Sequence, residues 1–204
     1  MQRNLWVIIP LLVSVVYSSC SENSPSGRGA GDLVLTVQKK PDDKAFTVSY
    51  CESVAEVENG IKKDCLCKAL GFRVAQLIAE KWHDNVLRVY EIKNIQTGWY
   101  TPGIRELFSK VIGMDPEKIT AGKNAATKVN LSLQDNWFIV SFADNSRMEI
   151  RPNTDIYTGR YLTLRAALQR GEKDLYLSEI MGERSKIEKK FRENHARTLF
   201  RVSR

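Results

Sequence analysis

Apolar and polar positions change period along this chain, and the changes mark its elements. Residues 5–17 form an apolar run interrupted only by Pro10 and Ser14, and residues 21–31 are Ser-, Gly-, Pro- and Asn-rich. Leu33-Val34-Leu35-Thr36-Val37 is β-rich, and Phe46-Thr47-Val48-Ser49-Tyr50 alternates, so both segments predict strands around a charged turn at Pro41. Residues 54–59 predict a short helix stopped by Asn59-Gly60. The clearest helix follows. Leu66, Ala69, Leu70, Val74, Leu77, Ile78 and Trp82 recur at three and four, giving one apolar face, with Asp64 as N-cap. Gly71 inside it costs about 1 kcal/mol relative to alanine. It therefore marks a close approach to another backbone or a ligand, or tight helix–sheet packing.

A strand over residues 86–95 comes next, then a turn at Thr97-Gly98-Trp99. Thr101-Pro102 starts a helix whose apolar face is Ile104, Leu107, Phe108, Val111 and Ile112, and Gly113 ends it. A meander over residues 128–133, 137–143 and 147–151 has turn signals at Asp135-Asn136 and Asp144-Asn145-Ser146. Residues 163–170 begin a helical segment. From Lys173 the chain is helical and charged, with a thin stripe of Ile180, Ile187 and Phe191. The order predicts an α+β fold: one mixed, largely antiparallel sheet with helices packed mainly on one face, plus a C-terminal helical tail. The spans are a signal peptide (1–19), a flexible tether (20–31), an α+β domain (32–172) and a basic helical tail (173–204).

Charge changes this picture only at the end. The 204 residues carry a formal net charge of +7, and residues 181–204 hold eight Lys/Arg against Glu183, Glu188 and Glu193. The domain is therefore close to neutral, and no nucleic-acid partner is expected. A solvated tail, or one docked on an anionic membrane or an acidic partner, accounts for the surplus.

Arg3 followed by the apolar run has the form and length of an export signal. Ser18-Ser19-Cys20 resembles a bacterial lipoprotein cleavage site, with Cys20 becoming the acylated first residue; Tyr17 stands where that motif prefers an aliphatic residue. Cleavage after Ser18 and an uncleaved anchor are the alternatives. The expected location is export with anchoring to a cell-envelope membrane through Cys20, the tether letting the domain stand off.

With Cys20 acylated, Cys51, Cys65 and Cys67 remain. One disulfide, from Cys51 to Cys65 or to Cys67, would leave one thiol over. Cys65 and Cys67 are also candidate metal ligands or reactive thiols, because a helix N-terminus stabilises thiolates. A divalent transition metal is the cofactor this chemistry would take. Two such cysteines are too few for a closed zinc site, and neither His83 nor His195 stands at a ligand spacing from them. No nucleophile elbow, phosphate loop or dinucleotide fingerprint is present. Gly98, Trp99, Tyr100 and Thr101 form an aromatic turn suited to a planar or sugar-like ligand, with Trp99 and Tyr100 equally suited to the core and its rim. Asn130-Leu131-Ser132 is a glycosylation sequon.

Cys65-x5-Gly71-x-Arg73 on an apolar helix resembles a region of the FmdE-like domain family, named for a component of formylmethanofuran dehydrogenase. That family carries a Gly-His-x-Cys-Pro-Gly-x3-Gly-x-Arg signature there. Cys65 matches the cysteine, Gly71 the later glycine and Arg73 the arginine; Lys63 stands in place of the histidine and Leu66-Cys67 in place of Pro-Gly. The segment from Thr97-Gly98-Trp99 to Leu107-Phe108 is similar to a second family region, and the resemblance covers residues 55–170. It implies the fold, and metal binding through a His/Cys set that is incomplete here. It does not imply dehydrogenase activity, which resides in other components of that enzyme.

Three functions follow. The first is a non-catalytic binding module holding a small ligand or metal complex between the Cys65 helix start and the Gly98 turn, with Arg73, Trp99, Tyr100 and Thr101 shaping the pocket. The second is a metal- or thiol-dependent enzyme using Cys65 or Cys67. The third is a structural or assembly lipoprotein. A homodimer is compatible with each.

Overall fold

The computed structural model describes residues 33–58, 61–122, 137–171 and 177–204. The leader, Cys20, the tether, the Asn59-Gly60 stop, the strand expected at 128–133, the turn at Asp135-Asn136 and the sequon all lie outside the described residues.

The fold is α+β with mixed sheets, but the described strands do not share a single sheet. β1 (Val34–Gln38) lies between antiparallel β2 (Phe46–Ser49) and parallel β5 (Val86–Arg88). β3 (Ala55–Glu58) pairs with β4 (Ile61–Asp64) as a two-stranded ribbon. β6 (Ile92–Thr97), β7 (Ile119–Ala121), β8 (Phe138–Phe142), β9 (Arg147–Pro152) and β10 (Phe200–Ser203) form a five-stranded sheet in the order β10-β9-β8-β6-β7. The division arises within the segment expected as one strand over 86–95. Val89–Glu91 turns as a 3-10 helix, so the two halves, β5 and β6, join different sheets. Glu91 fixes that turn by accepting from Trp82 Nε1 at 3.1 Å and Arg88 Nη1 at 3.4 Å.

The segment expected as a helix over 54–59 is instead the end of α1 (Tyr50–Val54) running into β3. Ser49 caps α1 and so begins a helix before the β-rich residues; the tertiary ladder then overrides the local helical pattern. The meander strands β8 and β9 and their turn hold. Asp144 Oδ1 accepts from the Ser146 amide at 2.9 Å, and Asn145 takes a positive φ of 64°.

α2 (Leu66–Ala79) runs through the middle. Of its 14 residues, 11 are buried, so it is apolar nearly all round rather than on the one face the sequence suggested. It packs against α1, α3 (Pro102–Glu106), α5 (Leu177–Glu193), α6 (Ala196–Leu199), β1 and β5. α3 continues into a π-helical turn, Leu107–Val111, and Gly113 ends it with φ +81°. Gly71 is where this pair of helices touches. A Cβ there would stand 2.7 Å from Leu107 Cδ2, so the glycine serves helix–helix contact rather than helix–sheet packing or a ligand.

The C-terminal segment is part of the core and ends in a strand. Ile180, Ile187, Phe191, Ala196, Leu199 and Phe200 are buried, and β10 pairs antiparallel with β9. Asp64, expected as an N-cap, is instead the anchor for α5. Its buried carboxylate accepts from Arg192 Nη2 at 2.7 Å and Nε at 3.0 Å and from the Tyr50 hydroxyl at 3.4 Å, and Arg184 donates to its carbonyl. Cys65 takes the N-cap position of α2. Part of the basic surplus is thus matched by carboxylates elsewhere in the molecule: Arg192 pairs with Asp64 at 2.7 Å and Arg197 with Glu80 at 2.6 Å. Among the described residues no helix is long and apolar enough to cross a membrane.

Phe191 is fully buried. Phe191→Ala should therefore destabilise the protein by about 3–5 kcal/mol in urea unfolding, and removal of residues 177–204 should abolish cooperative unfolding. A sharp transition in the truncated chain would show that the tail is dispensable to the core.

Candidate functional site

The start of α2 and the start of α3 abut. Gly103 makes this possible: a Cβ on it would lie 2.9 Å from Cys67 Cβ and 3.1 Å from Cys65 Sγ. Thr101 caps α3, its Oγ1 accepting from the Ile104 amide at 3.3 Å, and Pro102 occupies the first turn as the sequence predicted. Lys68 ties the two helices together through a 3.0 Å ion pair with Glu106. The helix start carrying the cysteines and the turn carrying Thr101 therefore do meet.

The two thiols are half-buried and interact directly. Pairing with Cys65 pulls the Cys67 thiol from its ordinary value of 9.0 down to about 7; the Thr101 hydroxyl and the positive charge of Arg165 act with it, and burial and the negative charge of Glu56 act against it. Cys65 is pushed well up, first because its proton is held by Cys67 and then by burial, and the Glu56 side chain also accepts from it. Of the two thiols, Cys67 is the one drawn toward ionisation and Cys65 the one held back from it.

Aromatic residues close the other side. α4 (Gly159–Gln169), capped by Thr158, brings Tyr161 and Arg165 toward Cys67, and Tyr157 precedes it. Tyr157 stacks on Tyr161 with centroids 6.2 Å apart and meets Trp99 edge-on at 5.9 Å. Burial, then the negative charge of Cys67, raises the Tyr157 hydroxyl well above its usual range. The Tyr157 hydroxyl, Trp99 Nε1 and Arg165 Nε are buried without a hydrogen-bond partner.

The expected site residues separate into groups. Cys65, Cys67 and Thr101 come together. Trp99 is buried against Tyr157, and the Arg105 guanidinium covers one face of the Tyr100 ring at 5.2 Å, so this turn builds core and rim. The Gly98 amide donates to the Trp137 carbonyl at 3.0 Å and extends the sheet ladder. Arg73, about 12 Å of helix rise beyond Cys65, turns toward the C-terminal segment: Nη1 donates to Gln76 Oε1 at 2.6 Å and Nη2 to the Asn194 carbonyl. Cys51 lies in α1, and the three cysteines form no disulfide in the structure. Among the described residues no three His, Cys, Asp or Glu groups converge, and His83 and His195 are exposed. The described donor set therefore does not fit a closed tetrahedral zinc site.

Glu56, Tyr157, Tyr161 and Arg165 were not picked out by sequence reasoning, which began the helix at Thr163. The signal was available: Thr158 is a good cap, and Tyr157, Tyr161, Leu164 and Leu168 keep helical spacing.

Gly103→Ala inserts a methyl group into the helix junction. It should cost about 1–3 kcal/mol in unfolding free energy and raise the Cys67 pKa by drawing Thr101 away, read as slower alkylation at neutral pH. Unchanged stability and alkylation would show that the junction is loose enough to take the methyl group.

Compared with known proteins, the chain matches no family model, no curated protein and no solved structure.

Proposed function

We propose that this protein is a thiol-dependent redox module, exported and anchored through Cys20, in which Cys67 is the reacting thiolate and Cys65 its resolving partner. The observation that carries the reading is the pair of half-buried thiols at the junction of the two helix starts, where Cys65 Sγ and Cys67 Cβ both press on Gly103 and the Cys67 thiol is drawn toward neutral pH. A thiol with a pKa near ambient pH combines high thiolate content with good nucleophilicity. Trp99 and Tyr100 offer less, since one is buried and the other is covered on one face. The likeness to the FmdE-like domains enters as a proposal of kinship and contributes nothing to the chemistry.

The reaction is thiol–disulfide exchange. Cys67 thiolate attacks one sulfur of a substrate disulfide, forming a mixed disulfide and releasing one substrate thiolate. Cys65 gives up its proton to that thiolate and attacks Cys67 Sγ. This releases the second substrate thiolate and leaves a Cys65–Cys67 disulfide, so two electrons pass from protein to substrate. Residues two apart at a helix start have Cα atoms about 5.5 Å apart, within the span a disulfide bridges.

Alkylation by iodoacetamide tests the thiolate. Cys67 reactivity should be half-maximal near pH 7, level off above about pH 8 and fall about tenfold per unit below pH 6. Cys65→Ala should move the midpoint upward by removing the donor. Equilibration with a glutathione redox series should yield a form two mass units lighter that persists in Cys51→Ala. An ordinary thiol profile, or no such form, would sink the reading.

Anchoring is tested separately. Growth of an expressing bacterium with a radiolabelled fatty acid should label the wild-type protein and not Cys20→Ser. Equal labelling, or none in either, would remove the lipoprotein assignment.

A further inference from the structure

A groove of about 870 Å³ runs along α2 beyond the thiol pair, walled by the start of β1 on one side and by residues 192–197 on the other. Arg73 forms part of its lining and is only 2% exposed, the one buried cation among the described residues. No carboxylate among the described residues pairs with it. Its two amino groups donate to the neutral oxygens of Gln76 and Asn194, and its Nε meets no acceptor. Burial alone pulls its pKa down, and the weak opposing influence comes from Tyr50. An uncompensated guanidinium in low dielectric is costly.

The other charges along the groove have partners. Arg192 holds Asp64, Arg197 holds Glu80 at 2.6 Å, Asp84 holds Arg88 at 2.9 Å, and Glu193 faces Lys189 at 3.9 Å. Donors remain over. Arg192 uses Nε and Nη2 on Asp64, which keeps Nη1 for another acceptor. His195 Nδ1 accepts from the Arg197 amide at 3.3 Å, so the neutral ring carries its proton on Nε2 and presents a donor at the exposed wall. Apolar surface from the half-buried Leu33 and the exposed Val34 lies alongside.

We propose that this groove binds a small molecule through an oxyanion head, a carboxylate or a phosphate. The head neutralises Arg73 and takes hydrogen bonds from His195 Nε2 and Arg192 Nη1, while the body lies on the apolar wall. Guanidinium is the side chain best shaped for such heads. The site is separate from the thiol pair and does not depend on its chemistry.

The test is thermal unfolding of the full-length protein, titrated with sodium phosphate and with sodium acetate against sodium chloride at constant ionic strength. At least one oxyanion should raise the Tm in a saturable way; phosphate acting alone marks a phosphate-bearing ligand, acetate acting alone a carboxylate. His195 is exposed, so His195→Ala should still fold, from a lower starting Tm because α6 loses its cap, and should weaken the saturable shift by roughly threefold to tenfold, the loss of one hydrogen bond. Arg73→Lys keeps the charge but not the fork and should weaken it by at least as much. No saturable effect beyond chloride would overturn the proposal, as would one that His195→Ala leaves unchanged.

Discussion

Asp64 carries a carboxylate into the interior, and the groups that bond it come from far along the chain. Removing an ionised carboxylate from water costs several kcal/mol even after relaxation, and the cost is recovered only when its oxygens are well paired. Arg192 supplies the matching fork from α5, Tyr50 adds a hydroxyl from α1, and Arg184 holds the backbone carbonyl. β4, α1 and α5 are therefore locked to one point. Arg192 remains partly solvated, so the pair contributes less through raw Coulomb energy than through placement: moving the C-terminal helix away would leave the buried carboxylate without its arginine.

That point lies one residue before Cys65. Fixing Asp64 fixes the direction in which α2 leaves β4, and α2 then has almost no free surface. A helix buried on so much of its circumference leaves little room for side-chain bulk where neighbours cross it. Gly71 and Gly103 are the residues at which α3 and its π-helical continuation come closest, the first on α2 and the second on α3. The thiols sit at the junction because two helix starts are pressed together there.

Local chemistry was readable where it depends on neighbours in sequence. The Thr101-Pro102 start, the Gly113 stop and the Asp144-Asn145-Ser146 turn all rest on contacts within a few residues, and each is found; α2 is found as a helix too, buried well beyond the one face its periodicity marked. Long-range competition decided the rest. The segment 86–95 has strand character throughout, but Glu91 is drawn to Trp82 and Arg88, and the strand divides. Asp64 is as good a cap as any residue until Arg192 claims it from 128 residues away. The thin apolar stripe of α5 does not reveal how the helix is held, because the polar ties of Arg184 and Arg192 to Asp64 and of Lys190 to the Asp155 carbonyl cannot be seen from helical spacing. Thiols at a helix start were legible; the donors that set their acidity, on α3 and α4, were not.

The diversion of Asp64 also has an electrostatic consequence for the thiols. A cap or acidic first turn normally neutralises the positive end of a helix. Here the cap position falls to Cys65, which forms no side-chain cap bond, and the first turn of α2 carries no acidic residue. Its basic residue, Lys68, is matched by Glu106 from the neighbouring helix. The positive end of α2 has no acidic residue of its own, so its field acts on the groups pressed against it, Cys67 among them. The interaction that closes the fold, by taking away the natural cap, thus leaves the helix field to the thiolate.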